Sequence, residues 1–244
     1  MIAQQSFKSA YICLITSLIA GVATPAIADT KFTQLKNLNQ SEFHKLATDL
    51  TAVSSYKAVT PATPLGITGF DIGGELSSTQ LDNSAVWKKA GADVSSLYIP
   101  KIHVHKGLPF NIDVGASLSA VPDSDIKLFG AEARYALIEG GVAIPAVSIR
   151  GAYTKLSGVS QLSSNTKSVE LLASKGFVMF TPYVGIGRVW GAVTPNVGGL
   201  QKVSPTANKL FAGINANLGL VNLGAELDRT GDNDTISVKV GFRW

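Results

Sequence analysis

The sequence is short of charge, short of sulfur chemistry and, beyond its first residues, short of long apolar runs. Only 16% of its 244 residues are charged, and the formal net charge is +4. That excess is small and dispersed, so nucleic acid is not an expected partner. The single cysteine, Cys13, falls in an N-terminal stretch that reads as a signal peptide, which excludes a disulfide scaffold and thiol chemistry in the remainder. The three histidines are His44, His103 and His105, and no serine has an evident histidine partner, so no catalytic constellation is seen and an enzyme is not expected. No later segment reaches the ~20 consecutive apolar residues of a membrane helix. Mean hydropathy is nevertheless +0.23. An apolar balance without apolar runs suits a chain whose apolar residues occupy every second position.

The chain begins with Lys8, an apolar stretch Tyr11 to Val22, and Ala26-Ile27-Ala28. This is the plan of a secretory signal peptide, residues 1–28, cleaved after Ala28 and carrying no lipid anchor. Residues 29–64 form an N-terminal segment expected in the periplasm. In it Phe43, Leu46, Ala47, Leu50 and Val53 recur at helical spacing, predicting a short amphipathic helix over 41–54 with Ser41 as N-cap, after a turn near Phe32 and Leu35. Two readings of this helix stand: a plug or lid at a barrel mouth, or a periplasmic tether against the rim. The tether is preferred. Pro61 and Pro64 mark the boundary with residues 65–244.

From Leu65 onward the pattern has period two, because successive strand side chains face opposite ways. Ten strands are predicted, near 65–76, 95–105, 110–120, 126–138, 143–155, 166–174, 177–190, 210–218, 221–228 and 235–244. In the third, Phe110, Ile112, Val114, Ala116, Leu118 and Ala120 alternate with Asn111, Asp113, Gly115, Ser117 and Ser119. The seventh is less regular, and a register shift is expected near Gly185 and Gly187. Connections after even-numbered strands are short and most of the others are longer. The fold class expected is therefore all-β: a transmembrane antiparallel up-and-down β-barrel of ten strands with a short N-terminal helical segment. Short turns belong in the periplasm, so both the N- and C-termini are expected there. Tyr98, Phe110, Phe129, Tyr135, Tyr153 and Trp190 are read as aromatic girdles at the two interfaces. A soluble β-sandwich could bury the same alternating face, but it would not need paired aromatic levels.

The final residues Thr235 to Trp244, with Val240, Phe242 and Trp244 on the apolar parity, resemble the C-terminal assembly signal of Gram-negative outer-membrane β-barrel proteins. The chain resembles that class along residues 29–244. More narrowly, SYKAVTPATPLGITGFDIG (55–73), IPKIHVHKGLPFNIDVG (99–115), LFGAEARYALIEGG (128–141), TPYVGIGRVW (181–190) and LDRTGD (227–232) resemble a family of uncharacterised proteobacterial outer-membrane proteins. The resemblance implies fold and location, the cell outer membrane. It also implies partners: outer-membrane lipid and lipopolysaccharide, and the barrel-assembly machinery during biogenesis. It implies no solute or surface ligand.

The polar parity places Asp71, Lys101, His103, Asp113, Glu132, Arg134, Arg150, Glu170, Glu226 and Lys239 in the lumen. Opposite charges alternate between neighbouring strands: Arg150 lies between Glu132 and Glu170, and Lys239 between Glu226 and Asp71. The network reads as bracing of a largely filled lumen in a structural membrane barrel, with a charged constriction in a narrow porin-like channel as the other reading. A surface-recognition or adhesion barrel acting through loops 77–94 and 191–207 is the alternative function, and an outer-membrane enzyme the third. His103 and His105 have a spacing compatible with a metal, but a third ligand is not evident, so neither metal nor cofactor is expected and the pair is read as hydrogen-bonded.

Overall fold

A computed structural model describes residues 33–121 and 125–244. The signal peptide read over 1–28 and most of the turn expected at Pro122 to Asp125 lie outside the described residues. A short 3-10 turn, Leu35–Asn37, precedes helix α1, Gln40–Ser54. The strands are β1 Phe70–Gln80, β2 Ser96–Leu108, β3 Ile112–Ala120, β4 Lys127–Ile138, β5 Ala146–Ser157, β6 Leu162–Ser174, β7 Phe180–Pro195, β8 Thr206–Leu218, β9 Val221–Thr230 and β10 Asn233–Arg243. A second short helix, α2 Ser84–Lys89, lies between β1 and β2. Each strand pairs antiparallel with the next, and β1 pairs with β10 from Asp71↔Arg243 to Thr79↔Thr235, closing a ten-stranded barrel.

Period-two sequences decide which face turns inward. Ile102, Leu118, Val169, Ile186, Leu210, Ile236 and Val238 are exposed on the outer surface, while Asp71, Glu132, Arg150, Glu170 and Lys239 are buried inside. In water this inversion would leave the apolar face unburied. In a bilayer it places the charged face where protein and ions satisfy it, and barrel closure leaves no backbone edge unpaired.

The strands start and stop where local geometry allows. β1 begins at Phe70 rather than at Leu65, because the backbone at Gly69 approaches Leu65 too closely for a side chain, and Gly66 carries a φ of +77°. The turn expected at Lys106 to Pro109 lies farther on. Phe110 and Asn111 have φ values of 64° and 60°, the paired left-handed geometry of a tight hairpin turn. Phe110 therefore sits on the turn itself rather than in β3. β7 carries no register shift: its pairings run unbroken from Tyr183 to Pro195 on one side and from Phe180 to Trp190 on the other. Arg188 and Trp190 simply share the outward face with Val184 and Ile186. Gly185 and Gly187 make room inside, where a Cβ would meet the Phe211 ring at 2.2 Å and Glu170 Cγ at 2.7 Å. The register shift that does occur lies in β4, between Ala136 and Ile138.

Phe211 is buried with its ring edge-on to Tyr183, at 6.4 Å between centroids, so it has nowhere to retreat. Gly185→Ala is expected to destabilise the refolded barrel by about 1–3 kcal/mol through overpacking. Urea unfolding checks this: the midpoint should fall at unchanged slope.

Candidate functional site

The barrel has two unlike mouths. The short turns near residues 109–111, 139–145, 175–179 and 219–220 gather at one end with Trp244, which exchanges backbone hydrogen bonds with Phe70. The loops and α2 gather at the other. The N-terminal segment joins the two mouths through the lumen.

At the loop mouth, α1 is inserted as a stopper. Asn39 caps it: its side chain accepts from the Glu42 N–H while Glu42 accepts from the Asn39 N–H, a reciprocal box that makes Asn39, not Ser41, the N-cap. Lys89 of α2 grips Glu42 at 2.7 Å, and this contact, with the Asn39 N–H, holds the Glu42 carboxyl below its ordinary range. The apolar stripe Phe43, Leu46, Leu50 and Val53 packs against Trp87, Leu97, Ile99, Leu128, Leu156, Leu162 and Val193. The last six belong to the inward parity of their strands, so the loop-mouth half of the lumen is apolar along β2 and β4 to β7, while β1, β9 and β10 turn Thr79, Thr230, Asn233 and Thr235 inward. Asp49 sits on the same buried stripe. It accepts from the Asn83 backbone at 3.0 Å, the Asn83 side chain at 2.9 Å, Trp87 Nε1 at 3.0 Å and Asn233 Nδ2 at 3.3 Å. One carboxylate thus ties the helix to the β1–β2 connection and to β10.

Below α1 the chain runs extended down the barrel, and the wall holds it by its main chain. Lys57 folds back on the end of α1, donating to the carbonyls of Ala52 and Ser55. Lys209 donates to the Tyr56 carbonyl at 2.7 Å, Lys101 to that of Lys57, Asn215 to that of Val59 at 3.1 Å and Arg134 to that of Pro61. The Ala62 N–H donates to Ser174, and the Leu65 N–H to Asp113. A buried backbone polar group left unpaired is costly, so each such bond fixes the path. Residues 51–62 are all buried. Val59, a β-branched residue at a φ of 48°, is held in a backbone conformation that such residues avoid.

The expected lumen residues fall in this lower half. Asp71 meets Lys239 at 2.8 Å and His103 at 3.2 Å. Asp113 pairs with Arg134, Lys101 with Glu75 at 2.7 Å, and Arg150 with Glu170 and, at 3.7 Å, with Glu132. Glu226 accepts from Tyr183 at 2.8 Å rather than from Lys239. Lys209, which sequence reasoning missed, bridges Glu170 at 3.0 Å and Asp228 at 3.4 Å. Its inward parity with Gly213 and Asn215 was the available signal. The buried carboxylates Asp71, Glu75, Asp113, Glu132, Glu170, Glu226 and Asp228 face an equal set of cations, Lys57, Lys101, Arg134, Arg150, Lys209, Lys239 and Arg243, so no ring of one sign forms.

Asp71 supplies the third potential ligand that the sequence left unidentified, with its ligand atom within 4.8 Å of those of His103 and His105. Lys239 already delivers a cation to that carboxylate, which opposes a metal ion there. His105 faces Glu132 and the Tyr56 hydroxyl, both at 3.4 Å, so each barrel histidine has a carboxylate beside it. Of the expected girdle, Phe129, Tyr135, Tyr153 and Trp190 are exposed on the outer surface, Tyr98 is half-buried and Phe110 is exposed on its turn.

The helix is seated inside the loop mouth, packed on the lumen wall, rather than tethered against the rim. The helix needs an apolar partner for its stripe, and the loop-mouth lumen provides it. Residue 33, the first described, lies toward the loop mouth and Trp244 lies at the turn mouth; the expected position of the N-terminus falls outside the described residues.

An apolar exterior, a charged interior and closure without edges define a transmembrane β-barrel of the outer-membrane type. No protein-family model matches the chain, and no curated protein does. Solved structures to which it is similar include the N-terminal β-barrel domain of Pseudomonas aeruginosa OprF, at 15% identity over 70% of this chain and 97% of that one, with a TM-score of 0.37. KdgM porin is 7% identical over 72% and 99%, with a TM-score of 0.36. The translocator domain of the autotransporter NalP from Neisseria meningitidis is 12% identical over 84% and 95%, with a TM-score of 0.37. Likenesses this distant say nothing of activity.

Asp49→Ala removes the acceptor of four hydrogen bonds at a fully buried site and is expected to cost on the order of 3 kcal/mol. The check is urea unfolding with tryptophan emission: the midpoint should fall and Trp87 should emit at longer wavelength, with Asp49→Asn in between.

Proposed function

We propose that this chain is a plugged outer-membrane barrel, a structural membrane protein that does not conduct, with its loop mouth at the cell surface and its turns in the periplasm. The observation that carries this reading is the uninterrupted burial of residues 51–62 along the lumen, with their main chain bonded to the wall. The balanced ionic network braces the wall and holds the segment, and it lacks the single-sign ring that a selective pore uses. The orientation rests on loop length, since such barrels keep short turns in the periplasm and long loops outside. It makes α1 a surface-side element and leaves Trp244 on the periplasmic side. Val240, Phe242 and Trp244 line one outward face and suit recognition by the assembly machinery.

A second reading, surface recognition, is favoured by the cap that α1, α2 and the loops form together. Asp49 and the Lys89–Glu42 pair fix that surface instead of leaving loose loops.

The refolded protein in planar bilayers is expected to stay silent at moderate voltage; regular stepwise openings would defeat the plugged reading. Orientation is tested separately with single cysteines at two open positions, Lys45→Cys on α1 and Gly141→Cys on a turn. A membrane-impermeant maleimide should label the first on intact cells and the second only after the outer membrane is opened. The reverse pattern would invert the topology.

A further inference from the structure

Near the loop mouth, cations without an acidic partner stand on one side of the outer wall only, among the described residues. On β4 to β7 the outward residues nearest the loop mouth include Lys127, Lys155, Lys167 and Arg188, one on each strand and all exposed. Each stands two residues beyond an apolar or aromatic outward residue: Phe129, Tyr153, Val169 and Ile186. The register pairs Phe129 with Lys155, Tyr153 with Lys167 and Val169 with Arg188. Each base is therefore stepped two residues toward the turn mouth relative to its neighbour. The strands tilt by roughly 40° in barrels of this kind, and the register climbs toward the loop mouth in the same strand order, so this stepping keeps the four cations near one height. That height is where the apolar band ends and the aromatic rings sit, the level of lipid headgroups.

No Asp or Glu occupies an outward position on β4 to β7, and none of the four cations forms an ion pair among the described residues. Arg229 on β9 shows the contrast, since Asp234 neutralises it at 2.7 Å. The opposite wall is bare of charge at this level: β1 offers Ser78 and Gln80, β2 Ser96 and Tyr98, and β3 Leu118 and Ala120. Arg188 and Trp190 border an open groove of about 650 Å³ on the lipid-facing wall, lined further by Val169, Leu171, Ile186 and Leu210 and, from β9, Arg229. Cations above an apolar furrow match an amphiphile with phosphate at its head and acyl chains below it.

We propose that Lys127, Lys155, Lys167 and Arg188 form a binding site for a multiply acylated, phosphorylated glycolipid of the outer leaflet. The cations take its phosphates and the groove takes an acyl chain. The site rests on the orientation given above, which the cysteine labelling tests independently of lipid.

The test is native mass spectrometry of the full chain released from mixed micelles. The probes are bis-phosphorylated lipid A, enzymatically dephosphorylated lipid A and phosphatidylglycerol. The wild-type protein is expected to retain phosphorylated lipid A at least tenfold more than either of the other two. The variant K127Q/K155Q/K167Q/R188Q should lose that preference while keeping the different gel mobilities of unheated and boiled barrel. If it does not fold, K155Q/K167Q serves, with an intermediate loss expected. Equal retention by variant and wild type would overturn the site. Equal retention of phosphatidylglycerol and lipid A by the wild type would reduce it to a general anionic surface and overturn the glycolipid assignment.

Discussion

Ten strands enclose more space than the side chains of their own wall fill, and a membrane barrel cannot shrink to remove it. The rest of the structure follows from how that space is occupied. Water would open a pore. A larger set of side chains would need longer residues on every strand. This chain fills the space with its own backbone, and a backbone brings a donor and an acceptor at nearly every residue. The lumen must therefore provide partners along its length. Lys209, Lys101, Asn215, Arg134, Ser174 and Asp113 do so at successive levels. The same cations need counter-charges once buried, which accounts for Glu170, Asp228 and Glu75 beside them.

The lumen divides into two solvents. Its loop-mouth half holds a hydrocarbon core of the kind found inside soluble domains, built by an amphipathic helix against β2 and β4 to β7. Its turn-mouth half is an ionic lattice around an extended strand. The boundary falls near Ser54 to Lys57, where α1 ends and the Thr166 hydroxyl donates to the Ser54 carbonyl. Each half matches the segment it holds: apolar side chains against a helix whose backbone is already satisfied, and polar side chains against a strand whose backbone is not.

Barrel, strand count and wall-facing parity were legible in the sequence because period two is strict where one face meets lipid. The lumen's contents were not, and the reason is physical. Alternation reports that Leu97, Ile99, Leu128, Leu156, Leu162 and Val193 share the inward face with the charges, but it does not report what they touch. Apolar residues on a polar parity were the available sign of an internal partner. Asp49 was a second sign, a carboxylate on the buried stripe of α1. Lys209 escaped because the eighth strand was expected from Leu210, four residues inside its start at Thr206. The irregularity read into β7 was a misreading of glycine. Gly185 and Gly187 keep the strand straight by yielding space to Phe211 and Glu170.

The path of residues 33–65 also bears on how such a molecule can be built. The helix is wider than the extended strand below it, and every level of the lumen grips the chain. Drawing this segment through a finished cylinder would break each grip in turn. Laying it along the inner surface of an open sheet breaks none. The β1–β10 seam, where Asp71 meets Lys239 and Arg243, is then the last joint to close, and it locks in place a thread already laid. The order of construction is written into the topology: contents first, container second.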